Sequence, residues 1–289
     1  MINYQLHCHA ATLSECETQH SSNLPTALTF QPVVLRCANY LSYALTAEHC
    51  LMHFTQPVQC LSSAVLHGGK RTIQQCLNWR VPITEDDLAA KGLTPEESLL
   101  DYYGYLDKVG VISPNRVIPA SQRIGLMTAA SMRSLRVCEA TFALTHSAGN
   151  AEQVHILVAV TSGLDNARTA GEASDERLFA EKGYQAGTIN IVMYSSKVLT
   201  EAAMVEAHMM IAEAKAHTLH QHNIVSAGAA ATLATGTGTD STAVCCAKPQ
   251  QQLMAADAPI EYVGKHTLYG EALAQCVMRA LSKSITQTQ

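Results

Sequence analysis

The sequence predicts an α+β fold: a single domain with a mixed β-sheet, a βαβ unit in its second half, and helices packed on the sheet. Three observations carry this. Strand-like apolar segments fill much of residues 30–81, and a strand, long helix, strand succession occupies 188–247. No internal repeat, low-complexity linker or composition break divides the 289 residues, a length that one large core can fill.

In chain order, residues 1–26 are polar and patternless and read as an N-terminal tail or edge extension, leaving 27–289 as the folded domain. Strands are expected at 30–36 (FQPVVLR), 50–55, 60–66 (CLSSAVL) and 72–81 (TIQQCLNWRV), separated by short polar breaks. Thr94, Pro95, Glu96 and Glu97 form a capping box with proline at the first helical position, and Leu99, Leu100, Tyr103 and Leu106 then share a helical face. Further strands are expected at 135–144 and 153–161.

The second half is the more legible. A strand at 188–195 (TINIVMYS) leads to a helix over about 200–222, capped by Thr200 with Glu201 behind it, and then to a strand beginning near Ser241. This is the βαβ pattern, which implies a right-handed crossover between two parallel strands. Val205, Met209, Ala212, Ala216 and Leu219 are expected to form the buried stripe of that helix. A final helix, roughly 268–284, turns Leu268, Ala272, Cys276, Met278 and Leu281 inward.

Composition narrows the function classes. Hydrophobic residues make up 47% and charged residues 15%, with a net charge of −5 and the 19 Lys and Arg scattered, which argues against nucleic-acid or membrane-surface partners. No run of eighteen apolar residues offers a bilayer span, and the N-terminus lacks the basic and apolar regions of a secretory signal, so a cytoplasmic location is expected. The ten cysteines are irregularly spaced without a CxxC pair, and several lie inside apolar runs. They read as reduced thiols in the core rather than as a disulfide framework or zinc site.

Four polar clusters interrupt the apolar segments, each beside an expected strand, where loops on a rigid scaffold carry function. They are His67-Gly68-Gly69 with Asn78, Trp79 and Arg80; Thr161 to Arg168; Gly187-Thr188-Ile189-Asn190; and the run Thr235-Gly236-Thr237-Gly238-Thr239-Asp240 together with Gly264 to Thr267. Glycines allow close backbone approach, hydroxyls donate and accept, and an aspartate opening a strand presents a fixed carboxylate. Such a run builds a pocket wall or an ordinary tight loop equally well. Glu206, Glu213, His217 and His220 fall roughly on one helical face, a spacing that can hold a divalent metal but that also describes a solvated polar face, which is the reading adopted. The Gly/Thr run lacks the Lys-Ser/Thr of a P-loop and the strand-first GxGxxG of a dinucleotide fold.

Taken together the clusters resemble the adenosylcobinamide amidohydrolase family of corrinoid salvage. The matching elements, in order, are His67-Gly68-Gly69, Leu77-Asn78, Gly125 to Ala130, Thr161-Ser162-Gly163 with Asn166-Ala167, Ala170-Gly171, Gly187 to Ile191, Leu199-Thr200, Glu213-Ala214-Lys215, Ala234 to Thr237 with Thr239-Asp240, and Gly264 with His266-Thr267 and Gly270. The resemblance runs from about residue 60 to 281. Residues 1–26, the histidines 217, 220 and 222, and the paired Cys245-Cys246 are not part of it.

The resemblance implies hydrolysis of the amide joining aminopropanol to a corrin-ring propionate of adenosylcobinamide, giving adenosylcobyric acid. The corrinoid is then the substrate, and no cofactor and no metal are required. The expected partner is this small molecule, with no nucleic acid and no membrane; a homo-oligomer is left open. Amide hydrolysis needs a nucleophile or activated water, oxyanion donors and an acid for the departing amine. On motif position and chemistry, Asp240 is the candidate base, Thr237 or Thr239 the candidate hydroxyl nucleophile, and His266 or Lys215 the candidate acid. His67, Gly68, Asn78, Asn166, Thr188, Asn190, Thr235, Gly236, Gly238 and Thr267 are the candidate substrate-binding residues. Two rivals stand beside this: a non-catalytic corrinoid-binding protein using the same pocket, and a self-processing amidase in which Thr188, after Gly187, becomes an N-terminal nucleophile.

Overall fold

The computed structural model describes residues 5–10, 40–81, 118–145, 151–173, 187–228, 232–249 and 258–286. The expected strand at 30–36 and the helix after Thr94 lie outside the described residues, as does most of the N-terminal extension. Within that extension Gln5–Ala10 forms β1, an edge strand antiparallel to β6 (Arg136–Thr145), so this part is an extension of the sheet.

The remaining strands of the main sheet are β2 (Leu41–Leu45), β3 (His49–Ser62), β4 (Gly69–Arg80), β5 (Arg123–Thr128), β7 (Ala151–Ser162), β9 (Ile189–Ser195) and β11 (Ser241–Cys246). Their order is β1-β6-β7-β9-β11-β3-β4-β5, with β2 paired to β3. Two-residue strands β8 (Ala167–Arg168) and β10 (Gly236–Thr237) form a separate small ladder. Helices α1 (Glu201–Gln221) and α2 (Leu268–Ile285), with two short 3-10 turns at Ala120–Gln122 and Met132–Ser134, complete the described elements. The fold is thus the mixed sheet with helices that the sequence predicts. β9 and β11 are parallel, in register Asn190 to Ser241 through Ser195 to Cys246, and α1 is their crossover.

The helices pack on one face of the sheet. There Ile191 and Met193 of β9, Val158 and Val160 of β7 and Val244 of β11 meet Ala203, Ala207 and Ile211 of α1 and Leu273, Val277 and Leu281 of α2. The other face is covered by the sheet itself. β3 and β4 pair along nearly their whole length, but the register shifts between His53 and Val58, and Gln74, opposite this irregularity, donates its side-chain amide to the Phe54 carbonyl at 3.3 Å. Such an irregularity bends the strand and raises its twist. Before it, β3 pairs with β2; after it, with β11. The outer part of β3 and β4, with β2 and β5, curls over the sheet, so Met52, Phe54, Cys76 and Leu126 share a second core with Val192, Tyr194 and Ala243.

Two details differ from expectation. The strands expected at 50–55 and 60–66 are one bent strand, and β2 and β5 are additional. The buried face of α1 also differs: Ala203, Met204, Ala207, Met210, Ile211, Ala214, Thr218 and Leu219 are inside, whereas Val205 is 52% and Met209 58% exposed. The helix carries apolar residues nearly all round. The face that packs is the one whose Ala203, Ala207 and Ala214 let the axis approach the sheet closely, and its one hydroxyl, Thr218, is satisfied by the Ala214 carbonyl at 2.7 Å. Of the expected stripe, Leu219 alone is buried. Of the ten cysteines, Cys50, Cys60, Cys76, Cys138, Cys245, Cys246 and Cys276 are buried and free, and Cys8 is half-buried and free.

Candidate functional site

Three segments meet at the end of the sheet where β9 and β11 begin and β7 ends. The register sets Ser162 opposite Ile189 and Asn190 beside Ser241, so the loops after β7, before β9 and before β11 emerge together. They are joined main chain to main chain: Gly163 N to Thr188 O at 3.0 Å, Thr235 N to Arg168 O at 2.9 Å and Gly238 N to Asn166 O at 3.1 Å. The approach is close at each of three glycines, and at Gly187 it is to main chain. A Cβ on Gly187 would lie 2.6 Å from Asn166 N, one on Gly236 2.5 Å from Asp240 Oδ2, and one on Gly238 2.5 Å from Asn166 Nδ2.

Asp240 is the centre of this knot. Its Oδ1 accepts from the Ile189 amide at 2.9 Å and from the Thr237 hydroxyl; its Oδ2 accepts from the Thr237 amide at 3.0 Å and from the Lys215 ammonium. Lys215 reaches it from the last third of α1, and the two side chains are only 15% and 13% exposed. Four donors on two oxygens occupy the carboxylate and lock the loop to the start of β9.

Beside it lies a pair of hydroxyls. Thr239 Oγ1 donates to the Gly187 carbonyl at 3.1 Å and sits 2.6 Å from Thr188 Oγ1. Because the Thr239 proton is directed at Gly187 O, Thr188 is the donor between the two. The Asn166 and Asp165 amides lie against the same Gly187, 2.6 and 3.1 Å from where its Cβ would be.

A second polar group faces the inner core. Asn78 of β4 donates to Thr161 Oγ1 at 2.9 Å and accepts from Asn190 Nδ2 at 2.8 Å, and Asn190 also donates to the Met127 carbonyl at 2.8 Å. All three side-chain bearers are buried. This clasp fastens the curled-over β4 and β5 to the second residue of β9, which is why Asn78 and Asn190, 112 residues apart, touch. Among the described residues Asn190 Oδ1 has no hydrogen-bond partner. Ser63 and Ser241 hydroxyls, 3.2 Å apart, line the same end.

The structure therefore brings together Asp240, Thr237, Thr239, Lys215, Thr188, Asn166, Gly236 and Gly238, with Asn78 and Asn190 around the edge of β9. Thr235 belongs to the neighbouring loop, where its hydroxyl accepts from Ala170 N at 2.9 Å. His67, at φ 53°, and Gly68 form the turn between β3 and β4; a Cβ on Gly68 would lie 2.4 Å from Ala64 O, and the preceding Leu66 pairs with Gly125 of β5. Among the described residues no hydrogen bond joins His266 or Thr267 to Lys215. Thr267 caps α2, accepting from Gly270 N at 2.9 Å, and His266 lies beside Gly264, which approaches Glu206. Glu206 precedes Lys215 by nine residues, roughly 13 Å along α1. The partners of Asp240 include neither Asn190 nor His266.

Glu206 accepts from the Val263 amide at 2.7 Å, and Glu213 pairs with Lys265. Among the described residues no three His, Cys, Asp or Glu side chains gather as a metal site. The sequence did not assign Thr161, Gly187, Ser241 or the Ile189 amide to the site, although Thr161, Gly187 and Ile189 stood in its motifs; the missing signal was the strand register that aligns them.

Comparison with known proteins gives three findings. The family model described as adenosylcobinamide amidohydrolase matches residues 37–289. An uncharacterized protein of Methanocaldococcus jannaschii is 27% identical over 175 residues, which is 55% of this chain and 61% of that protein, so less than two thirds of that relative is spanned. The crystal structure of the PH0078 protein from Pyrococcus horikoshii OT3 aligns over 84% of this chain and 78% of its own at 12% identity, with a TM-score of 0.36, too low to speak of a shared fold.

Proposed function

Because this chain belongs to the adenosylcobinamide amidohydrolase family, we propose that it hydrolyses the amide between aminopropanol and the corrin-ring propionate of adenosylcobinamide, releasing adenosylcobyric acid. The observation that carries the reading beyond the family is the character of the loop end. Its side chains are hydroxyls and amides, with Thr237 and Thr239 reaching solvent and Thr188, Asn166 and Asn190 buried behind them, and the ion pair of Lys215 with Asp240 is internally compensated. A corrin rimmed with neutral amides is matched by such a surface, because neutral donors and acceptors replace its water without stranding a charge.

Within this reading the carboxylate of Asp240 is a positioning group. Its oxygens are occupied by Thr237, Ile189 and Lys215, so it holds backbone and ammonium in place rather than taking a proton from water. Lys215 is the acid nearest the loops for the departing amine. The backbone amides of Asp165 and Asn166 are the oxyanion donors, and the Thr188–Thr239 hydroxyl pair holds the nucleophile. No resident cofactor or metal enters, and exhaustive chelation is expected to leave turnover unchanged.

The test is to incubate the purified protein with adenosylcobinamide and measure free aminopropanol and the mass of the corrinoid. Release of aminopropanol with a corrinoid acid is the expected result. Tight binding of adenosylcobinamide without release would instead make the protein a corrinoid carrier.

A further inference from the structure

We infer that the Gly187–Thr188 peptide bond is a self-processing site, and that its cleavage yields Thr188 as the N-terminal nucleophile of the amidohydrolase. The inference rests on the proposed amide-hydrolase reading for its purpose, but on geometry alone for the cleavage. Three groups already surround this bond as a reaction would need them. The Thr188 hydroxyl is carried by the residue that follows the bond, four covalent bonds from the carbonyl carbon it would attack, the spacing that closes a five-membered ring. Thr239 accepts from Thr188 at 2.6 Å and donates to the Gly187 carbonyl oxygen at 3.1 Å. The Asp165 and Asn166 amides crowd Gly187, and among the described residues neither donates a hydrogen bond elsewhere.

The hydroxyl chain supplies a proton path without an external base. Thr188 Oγ1 attacks the Gly187 carbonyl carbon and closes a five-membered ring. As that bond forms, the Thr188 proton passes to Thr239 Oγ1, and the proton of Thr239 passes to the carbonyl oxygen as its double bond opens. Collapse of the ring restores the carbonyl, breaks the bond from carbon to the Thr188 nitrogen and returns the hydroxyl proton to that nitrogen. An ester between Gly187 and Thr188 Oγ1 with a free amine results. Water then hydrolyses the ester, giving the Gly187 carboxylate and a Thr188 with both its hydroxyl and its α-amino group. The sum is one peptide bond and one water in, one carboxylate and one ammonium out.

Two fixed features favour this bond over its neighbours. Gly187 lacks the Cβ that would collide with Asn166 N, so its main chain can lie against the Asp165 and Asn166 amides. The chain on the product side is held independently, because Thr188 O accepts from Gly163 N and Ile189 N donates to Asp240. After cleavage Thr188 therefore stays at the head of β9, where its own amine can serve as the base for its hydroxyl.

The experiment is the intact mass of the full-length protein under denaturing conditions, with N-terminal sequencing, before and after incubation with hydroxylamine. Two fragments, residues 1–187 and 188–289, the second beginning at Thr188, are expected, and hydroxylamine should speed their appearance by trapping the ester as the Gly187 hydroxamate. Thr188→Ala should remain one chain and Thr188→Ser should still cleave. Thr239→Val should cleave ~10-fold more slowly or worse, the scale of a lost proton-transfer partner. A wild-type chain that stays at full mass overturns the inference, whatever its activity; so does cleavage at another bond, or cleavage that persists in Thr188→Ala. A chain that cleaves at Thr188 yet releases no aminopropanol keeps the self-processing and removes the corrinoid reading.

Discussion

Lys215 of α1 and Asp240 at the head of β11, 25 residues apart in sequence, form a nearly buried ion pair that locks the loop before β11 to the helix above it. Removing one partner strands the other among neutral groups. Lys215→Met and Asp240→Asn are each expected to lower unfolding free energy by about 2–4 kcal/mol, somewhat under the cost of breaking a fully buried pair. The double variant should lose less than the sum. Denaturant titration of the four proteins measures this. Asp240→Asn should also cut turnover about a hundredfold through displacement of the loop, and parental turnover in that variant would take the loop out of the reaction.

The glycines of the knot should differ in tolerance. Gly187→Ala drives its Cβ against a backbone nitrogen, whereas Gly238→Ala meets the end of the Asn166 side chain, which can swing aside. The first is expected to cost about 1–3 kcal/mol and the second less than about 1 kcal/mol. Equal losses in melting experiments would mean that Asn166 is as fixed as the main chain.

The two faces of α1 give an internal control. Val205→Glu changes an exposed position and should alter stability by no more than about 0.5 kcal/mol. Ala207→Leu forces a larger side chain between helix and sheet and should cost about 1–3 kcal/mol. A reversal of these effects would restore the stripe that the periodicity of the sequence suggested.

Acid should destabilise the protein before its carboxylates titrate. Burial pushes His49 down to about 4 and also lowers His155 and His208. These imidazoles hold a proton less tightly in the folded chain than in the unfolded chain, which binds their protons below about 6.5. Stability is therefore full above that pH and falls as pH drops from 6.5 towards 4, with His49 alone contributing up to about 3 kcal/mol. Denaturation midpoints across this window should show the slope, and His49→Gln should flatten it; an unchanged slope would mean that His49 is solvated when folded.

The βαβ unit was legible because its signals are local. An unbroken apolar run fills β9, a threonine caps α1, and the following strand opens with the Thr/Gly run. The buried face of α1 was not, since an apolar residue stands on nearly every side and only the sheet's demand for small side chains selects one. The clustering of Asp240, Thr237, Lys215 and Thr188 follows from parallel register, so motif order could name these residues without revealing that the carboxylate would be consumed by its neighbours. The Asn78–Asn190 contact had no sequence signal, because it depends on a bend in β3 that joins two runs which read as separate strands.

That bend has a consequence for how the molecule comes apart. Past the bend β3 pairs with β11, and β7, β9 and β11 line both hydrophobic cores with alternate side chains: Val158, Ile191 and Val244 face one, Leu157, Val192 and Ala243 the other. Neither core can lose its packing without baring the strands that line the other, and the Asn78 clasp ties the curled-over strands to β7 and β9. Heat or denaturant should meet one cooperative block with a single melting transition, and no excised half should retain native structure.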